Sequence, residues 1–147
     1  MASPVTIEKL SAADRKALAH IYVIISDNVG SFFNWNFQKA MDEFEKSESL
    51  VLKLNSEIMS FVTYRVYEDR FEIMAMGSNP SHLRMGNGSQ LMNKIKNIAA
   101  QQSLAIWLEV HENNHQAVQF YLKNQFTVVT CRKSYYLDGG SALVMRA

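Results

Sequence analysis

The most constraining stretch of this chain is a strand, a glycine turn and a helix in succession, between residues 71 and 102. Residues 71–76 are apolar enough for a buried strand, and a glycine and a proline follow it. Beyond the loop, apolar residues fall at i, i+4, i+7 and i+8, which predicts one face of a helix: Leu91, Ile95, Ile98 and Ala99. The unpaired N–H groups and the positive dipole end of that helix favour an anion. Gly86 and Gly88 lack Cβ atoms and would let a phosphate approach the main chain closely.

The glycine turn allows two interpretations. A Gly-x-Gly sequence before a helix is most often only a turn, and a phosphate site is the alternative. The chain has no Gly-Lys-Ser/Thr sequence, which excludes a P-loop. It also lacks a third glycine, and an acidic residue at the end of a following strand, which excludes the dinucleotide-binding fingerprint.

Length and composition predict one soluble globular domain. The 147 residues are 48% apolar and 20% charged, and the net charge of +1 gives no reason to expect nucleic-acid binding. The one cysteine, Cys131, rules out an internal disulfide, and we expect it to be a small buried hydrophobe. No apolar run approaches the roughly 20 residues that span a bilayer. The N-terminus lacks the features of a signal peptide, so we expect a cytoplasmic protein without a membrane segment.

The spacing of apolar residues predicts a single mixed α/β domain over residues 1–147. Strands are expected at 5–10, 49–54, 58–67, 71–78, 104–110, 127–137 and 142–145. Helices are expected from Ser11, as N-cap, to about Ser26, from Phe37 to Lys46, from about Gly88 to Gln102, and from a cap at Asn113 or Asn114 to about Asn124. Residues 27–36 are expected to be irregular. The helix between strands 71–78 and 104–110 predicts that these two strands are parallel.

The glycine turn also resembles the acetyl-CoA motif of the GNAT superfamily of acyl-CoA N-acyltransferases. That motif is a strand followed by Gln/Arg-x-x-Gly-x-Gly/Ala, which opens a helix. Residues 83–88 here read Leu-Arg-Met-Gly-Asn-Gly, and Pro80 stands at the usual proline position. Leu83 occupies the place of the Gln or Arg, and Arg84 is the nearest positive charge.

Residues 108–126 are similar to the ribosomal-protein-alanine N-acetyltransferase (RimI-like) branch of that superfamily. Residues 108–111 read Leu-Glu-Val-His, where the branch has Leu-Glu-Val-Arg. An asparagine, an alanine, a tyrosine and a phenylalanine follow at the branch's spacing, with Gln125 in place of its glycine. The late Arg…Tyr-Tyr of the branch is present at 132–136, whereas the first 70 residues agree only in element order.

The resemblance implies a mixed, V-splayed sheet of six to seven strands flanked by about four helices. The pantothenate arm of acetyl-CoA would lie in a gap between strands 71–78 and 104–110, and its pyrophosphate on the N–H groups of 84–89. The residues implied to bind acetyl-CoA are Met76, Ser78, Arg84, Met85, Gly86, Asn87, Gly88, Ser89, Asn114 and Tyr121. No metal is expected, since His111 and His115 have no third ligand nearby.

Two residues are the candidates for proton transfer. Glu109 lies on the strand face opposite the apolar residues, and the branch uses this glutamate as a base; a solvated edge residue is the alternative. Tyr121 corresponds to the tyrosine whose hydroxyl meets the sulfur as an acid in the superfamily; a core aromatic is the alternative. Asn114 is either a helix cap, a pantetheine partner, or both.

The aromatic residues of the loop after the first helix are the candidates for the acceptor site. Phe32, Phe33 and Trp35 either anchor that loop in the core or form one wall, and Tyr135 and Tyr136 could form the opposite wall. The resemblance implies acetyl transfer from acetyl-CoA to a primary amine by direct attack, foremost a protein N-terminus. A small amine (polyamine, amino sugar or amino acid) and a non-catalytic acyl-CoA-binding module are the alternatives. We expect a monomer or homodimer.

Overall fold

Seven strands and four α-helices make up the fold in a computed structural model that describes residues 5–29, 32, 35–80 and 86–147. The strands are β1 (Val5–Lys9), β2 (Glu48–Leu54), β3 (Glu57–Val66), β4 (Phe71–Ser78), β5 (Ile106–His111), β6 (Thr127–Arg132) and β7 (Ala142–Arg146). The helices are α1 (Arg15–Val29), α2 (Phe37–Lys46), α3 (Asn87–Gln101) and α4 (His115–Lys123). None of these helices is long and apolar enough to cross a membrane.

The seven strands form one mixed sheet in the order β1-β2-β3-β4-β5-β7-β6. Strands β1 to β4 make an antiparallel meander, and β7 pairs antiparallel with both β5 and β6. Strands β4 and β5 are parallel, as expected for two strands joined by a helix. The predicted fold class is therefore confirmed.

The parallel pair at the centre of the sheet separates after a short contact. Pairing of β4 with β5 ends at Ile73 and Leu108. At the next residue, Met74, the register of β4 against β3 shifts by one, and such a bulge bends a strand. Both strands continue, β4 to Ser78 and β5 to His111, so a gap opens between them. This gap is the V that the resemblance implies.

Helices cover both faces of the sheet and build two buried clusters. Helices α3 and α4 and the residues after them contribute to one cluster with Leu91, Met92, Ile95, Tyr121 and Phe126. Helices α1 and α2 contribute to the other with Leu18, Tyr22, Ala40 and Phe44. The gap between β4 and β5 therefore connects the α3/α4 side of the sheet with the α1/α2 side.

The first helix differs from its prediction at both ends. It continues to Val29, because the sequence has no glycine or proline from Arg15 until Gly30. At its start, a 3-10 turn over Ala12–Asp14 precedes it, and the Ser11 side chain makes no cap hydrogen bond. Residues 27–29 are thus helical rather than irregular.

The end of the sheet differs from its prediction in two respects. Strand β6 ends at Arg132, whereas the sequence pattern predicts a strand to residue 137. The connection to β7 is a loop that turns at 136–140, where the Gly139 N–H donates to the Tyr136 carbonyl. Cys131 is exposed rather than buried, because β6 is the outermost strand and all its residues face solvent.

Candidate active site

One cavity of about 640 Å³ fills the gap between β4 and β5. It begins at the start of α3, passes between the separated strands and reaches the rings near the end of α1. The predicted site residues that line it are Phe32, Trp35, Met76, Ser78, Gly86, Asn87, Gly88, Ser89, Glu109, Asn114, Tyr121 and Tyr136. Phe33, Arg84 and Met85 lie outside the residues that the structure describes. Tyr135 is 52% exposed and does not line the cavity.

The start of α3 exposes main-chain donors to the cavity. Gly86 is the N-cap with a left-handed φ of 74°, a conformation that favours glycine, and its carbonyl accepts from the Gln90 N–H at 3.1 Å. A Cβ atom at Gly88 would lie 3.3 Å from Cζ of Phe120. Asn87 is buried, and its side-chain Nδ2 has no hydrogen-bond partner among the described residues. Free donors at a helix N-terminus are suited to the phosphates of a nucleotide.

The start of α4 forms the other side of the same half of the cavity. The Asn114 side chain caps the helix, since its Oδ1 accepts from the Ala117 N–H at 3.3 Å. Tyr121 lies two turns further along, packed edge-on against Phe120 and tilted against Phe126. Its side chain is 8% exposed, and burial raises the pKa of the phenol above its ordinary value near 10. Tyr121 therefore carries its proton at neutral pH.

Glu109 stands where the gap crosses the plane of the sheet. It alternates with Leu108 and Val110, whose side chains face the buried cluster under α3 and α4. Its Oε1 lies 3.1 Å from Nε of Arg132 on β6, and its side chain is 27% exposed. It also lines a second, smaller cavity of about 230 Å³ together with Glu72 and Trp107. Glu109 thus borders both cavities, and its carboxylate already has one cationic partner.

Aromatic rings form the end of the cavity on the α1/α2 side. The Trp35 ring stacks on Tyr22 at 5.2 Å, and the Trp35 N–H donates to the Tyr22 hydroxyl at 3.4 Å. Tyr136 also lines the cavity and stacks on His111 at 4.7 Å. Burial, followed by the nearby carboxylate of Glu109, raises the pKa of Tyr136 to about 12. This end of the cavity is therefore lined mainly by aromatic rings.

Some cavity residues were not singled out from the sequence. His111 appears there as a departure from the branch pattern and as a rejected metal ligand, yet its side chain is fully buried and contacts two cavity rings. Its place on the strand face of Glu109 is the signal that points toward the cavity. Tyr22 and Phe120 look like ordinary helix-stripe residues, and no sequence signal separates them from the core. Among the described residues, no group of three His, Cys, Asp or Glu side chains is placed to hold a metal ion.

The fold and this arrangement of a helix N-terminus in a split sheet define a known class of protein. Residues 17–126 match the model of the acetyltransferase (GNAT) family, and the chain belongs to that family. The predicted superfamily is confirmed.

The similar proteins include an N-alpha-acetyltransferase and a ribosomal-protein-alanine N-acetyltransferase. The chain is 31% identical over 71 residues to N-alpha-acetyltransferase 50 of Danio rerio, a match that covers 47% of this chain and 42% of the relative. The matched segment therefore spans less than half of that curated relative. Among solved structures, the ribosomal-protein-S18-alanine N-acetyltransferase from Escherichia coli is 25% identical, with a TM-score of 0.81, over 97% of this chain and 92% of the other. Naa50 of Arabidopsis thaliana, in complex with the bisubstrate analogue CoA-Ac-MVNAL, shares the fold at 20% identity, with a TM-score of 0.79 over 97% of both chains.

Proposed function

We propose that the protein transfers the acetyl group of acetyl-CoA to the α-amine at a peptide N-terminus. The observation that carries this proposal is the single cavity that runs from the start of α3, through the sheet, to the rings around Tyr136. A cavity of this shape can hold a thioester and an amine in line at its middle, beside Glu109. Holding both reactants in the reacting geometry supplies much of the rate in such a transfer.

The α3 end of the cavity fits the pyrophosphate and pantetheine of acetyl-CoA. Its main-chain N–H groups are free to bind phosphate oxygens, and Gly88 leaves room for close approach. The buried and unpartnered Nδ2 of Asn87 offers one further donor. We assign the donor site to Met76, Ser78, Gly86, Asn87, Gly88, Ser89 and Asn114, with Arg84 and Met85 as predictions from the motif.

Two side chains are assigned to the proton transfers of the reaction. The amine nitrogen attacks the thioester carbon, so a C–N bond forms as the C–S bond breaks. Glu109 takes the proton that the amine loses, directly or through one water. Tyr121 gives its proton to the departing sulfur, and its raised pKa keeps that proton available. After the transfer Glu109 holds the proton of the amine and Tyr121 is a phenolate. Return of that proton from Glu109 to Tyr121 through solvent restores both residues, and the products are the amide and the CoA thiol.

The aromatic end favours a peptide whose first side chain is apolar. Trp35 and Tyr136 present ring surface, and the nearby carboxylates are already paired: Glu109 with Arg132, and Asp138 with His111. A polyamine would find little unpaired negative charge there. The names of the Danio rerio and Escherichia coli relatives, both acetyltransferases of protein α-amines, support the same acceptor.

The proposal is tested by release of CoA thiol from acetyl-CoA, corrected for hydrolysis. The acceptors are a peptide with an apolar first residue, the same peptide with a blocked N-terminus, a polyamine, an amino sugar and an amino acid. We expect release with the free peptide alone. Release with a small amine instead would make the protein a small-molecule acetyltransferase. Binding of acetyl-CoA with no release for any amine would make it a non-catalytic acyl-CoA-binding module.

We also propose that the protein works in the cytoplasm as a monomer or homodimer. An exposed, unpaired Cys131 is compatible with a reducing compartment. Cell fractionation and analytical ultracentrifugation test the two statements. A secreted protein, or a larger assembly, would contradict them.

A further inference from the structure

His111 and Asp138 form a hydrogen-bonded pair behind the aromatic end of the cavity. Nε2 of His111 lies 2.8 Å and 3.1 Å from the two carboxylate oxygens of Asp138. The imidazole side chain is fully buried, whereas that of Asp138 is 40% exposed. The proton-transfer assignments above use neither residue.

Hydrogen bonds fix the proton of this imidazole. The Asn113 N–H donates to Nδ1 at 3.0 Å, so Nδ1 presents its lone pair and Nε2 carries the proton. Nε2–H then donates to Asp138. In an imidazolium both ring nitrogens carry a proton, so the Nδ1–H would point at the Asn113 N–H and two donors would face each other. Both nitrogens are therefore occupied by groups of the protein itself, and neither is free to exchange a proton with a substrate.

The loop between β6 and β7 is built directly on this ring. Oδ1 of Asp138 also accepts from the Gly140 N–H at 2.7 Å, and the Tyr136 N–H donates to the Gly140 carbonyl at 3.0 Å. A Cβ atom at Gly140 would lie 2.2 Å from Nε2 of His111, so the main chain rests against the imidazole. The Gly140 N–H bond, together with the imidazole, lowers the pKa of Asp138. The contacts with His111 therefore hold the 136–140 turn in position.

The imidazole also contacts the two rings that border the acceptor end. The Tyr136 ring stacks on it at 4.7 Å with 25° between the planes, and the Phe32 ring lies tilted against it at 4.8 Å. Tyr136, from the loop between β6 and β7, and Phe32, from the segment after α1, both line the cavity. One side chain at the end of β5 thus supports two rings of this end of the cavity.

We propose that His111 and Asp138 are positioning residues that hold the acceptor wall, and that they set the affinity for the acceptor without taking part in proton transfer. This inference rests on the proposed function, because it concerns the acceptor of that reaction. If the pair acts in this way, breaking it loosens the Tyr136 wall and weakens acceptor binding equally in the ground state and the transition state. Such a loss raises KM for the acceptor and leaves kcat unchanged.

The test compares variants of the pair with matched controls in acetyl transfer to the free peptide. Asp138→Ala removes the exposed partner. His111→Phe keeps an aromatic ring at this position but removes the hydrogen bonds to Asp138 and to the Asn113 N–H. Asp138→Asn keeps an oxygen that can accept from Nε2–H and from the Gly140 N–H. Asp69→Ala, in the exposed β3–β4 turn, is the control for Asp138. His20→Phe, an exposed histidine packed on Phe37, is the control for His111.

We expect Asp138→Ala and His111→Phe each to raise KM for the peptide about tenfold, with kcat within roughly threefold and CoA affinity by calorimetry unchanged. The double variant should be no worse than either single variant, since residues that act as one unit are not additive. Asp138→Asn should lie close to wild type, because a neutral imidazole needs an acceptor rather than a charge. The control variants should match wild type.

Three results would overturn the proposal. If KM for the peptide is the same in Asp138→Ala as in Asp69→Ala, the pair has no positioning role. If kcat and CoA affinity fall together in Asp138→Ala, the substitution has damaged the protein generally, and the positioning role is likewise removed. If Asp138→Asn is as impaired as Asp138→Ala, His111 needs the negative charge of Asp138, and the pair does not consist of a neutral imidazole and an acceptor. If wild type itself transfers acetyl to no peptide, the proposed function fails together with this inference; an active wild type with unaffected variants defeats the inference alone.

Discussion

Glu109 faces two cations in the proposed reaction, the acceptor ammonium and the guanidinium of Arg132 at 3.1 Å. An α-amine with a pKa near 8 is mostly protonated at pH 7 and must lose a proton before or during attack. Among the described residues that line the cavity, Glu109 carries the one carboxylate. Arg132 keeps this carboxylate in place but competes for its oxygens.

Replacing Glu109 by glutamine tests its role as the base. Gln keeps the shape and removes the basic oxygen pair, so kcat should fall on the order of 10²-fold with normal acetyl-CoA binding. Raising the pH should recover part of that rate, because solvent then deprotonates the amine. Steady-state rates between pH 6 and about 9 measure this, with exposed Glu68→Gln as the control.

Two outcomes would contradict the base assignment. An equal loss at every pH would mean that Glu109 positions the acceptor. No loss at any pH would move the base elsewhere, with Glu72 as the next residue to change, since it lines the smaller cavity beside Glu109.

Replacing Tyr121 by phenylalanine tests the acid. The hydroxyl matters mainly when the thiolate departs, so kcat should fall while CoA affinity stays nearly intact. Because burial raises the pKa of Tyr121 above 10, the wild-type rate should rise with pH as the amine deprotonates and show no alkaline fall below about pH 10. An unchanged kcat in the variant would leave Tyr121 only its packing role.

At the scale of elements, the start of α3 is the proposed binding site for the phosphates of acetyl-CoA. Gly88→Val would place a branched side chain against Phe120 and the cavity, where the nearest ring atom is 3.3 Å from a Cβ. We expect CoA affinity to fall at least about 100-fold, because the phosphates can no longer reach the main-chain N–H groups. Calorimetry with CoA measures it, and exposed Asn93→Val on the same helix is the control. Unchanged affinity in a folded Gly88→Val protein would move the phosphate site elsewhere.

Local sequence signals predict those helices and strands whose ends are determined by neighbouring residues in the sequence. Helix α2 has its predicted bounds, and Asn114 caps α4 as expected, because capping and periodicity act within a few residues. The end of β6, in contrast, is not determined by neighbouring residues in the sequence. The loop after it takes its shape from contacts with His111 on another strand, which neighbouring residues in the sequence do not encode.

At the scale of the whole molecule, the sequence predicts the mixed sheet and its parallel pair, but the point of separation comes from tertiary structure. Pairing stops at Ile73 because the bulge at Met74 turns β4 away, and no sequence pattern marks that bulge. The residues of the proposed donor half could be named from the sequence because main-chain groups at a glycine turn would form it. The acceptor half combines side chains from α1, the loop after it, β5 and the β6–β7 loop, and only the folded chain brings them together.

The most direct measurement of the central claim is the position of the acetyl group on a peptide product. The substrate has a free α-amine, an apolar first residue and one internal lysine; its matched copy is blocked at the N-terminus. Tandem mass spectrometry after incubation with acetyl-CoA should find the acetyl group on the α-amine of the first peptide and nowhere on the second. Acetylation of the lysine in both peptides, or of neither peptide by a protein that binds acetyl-CoA, would contradict the account.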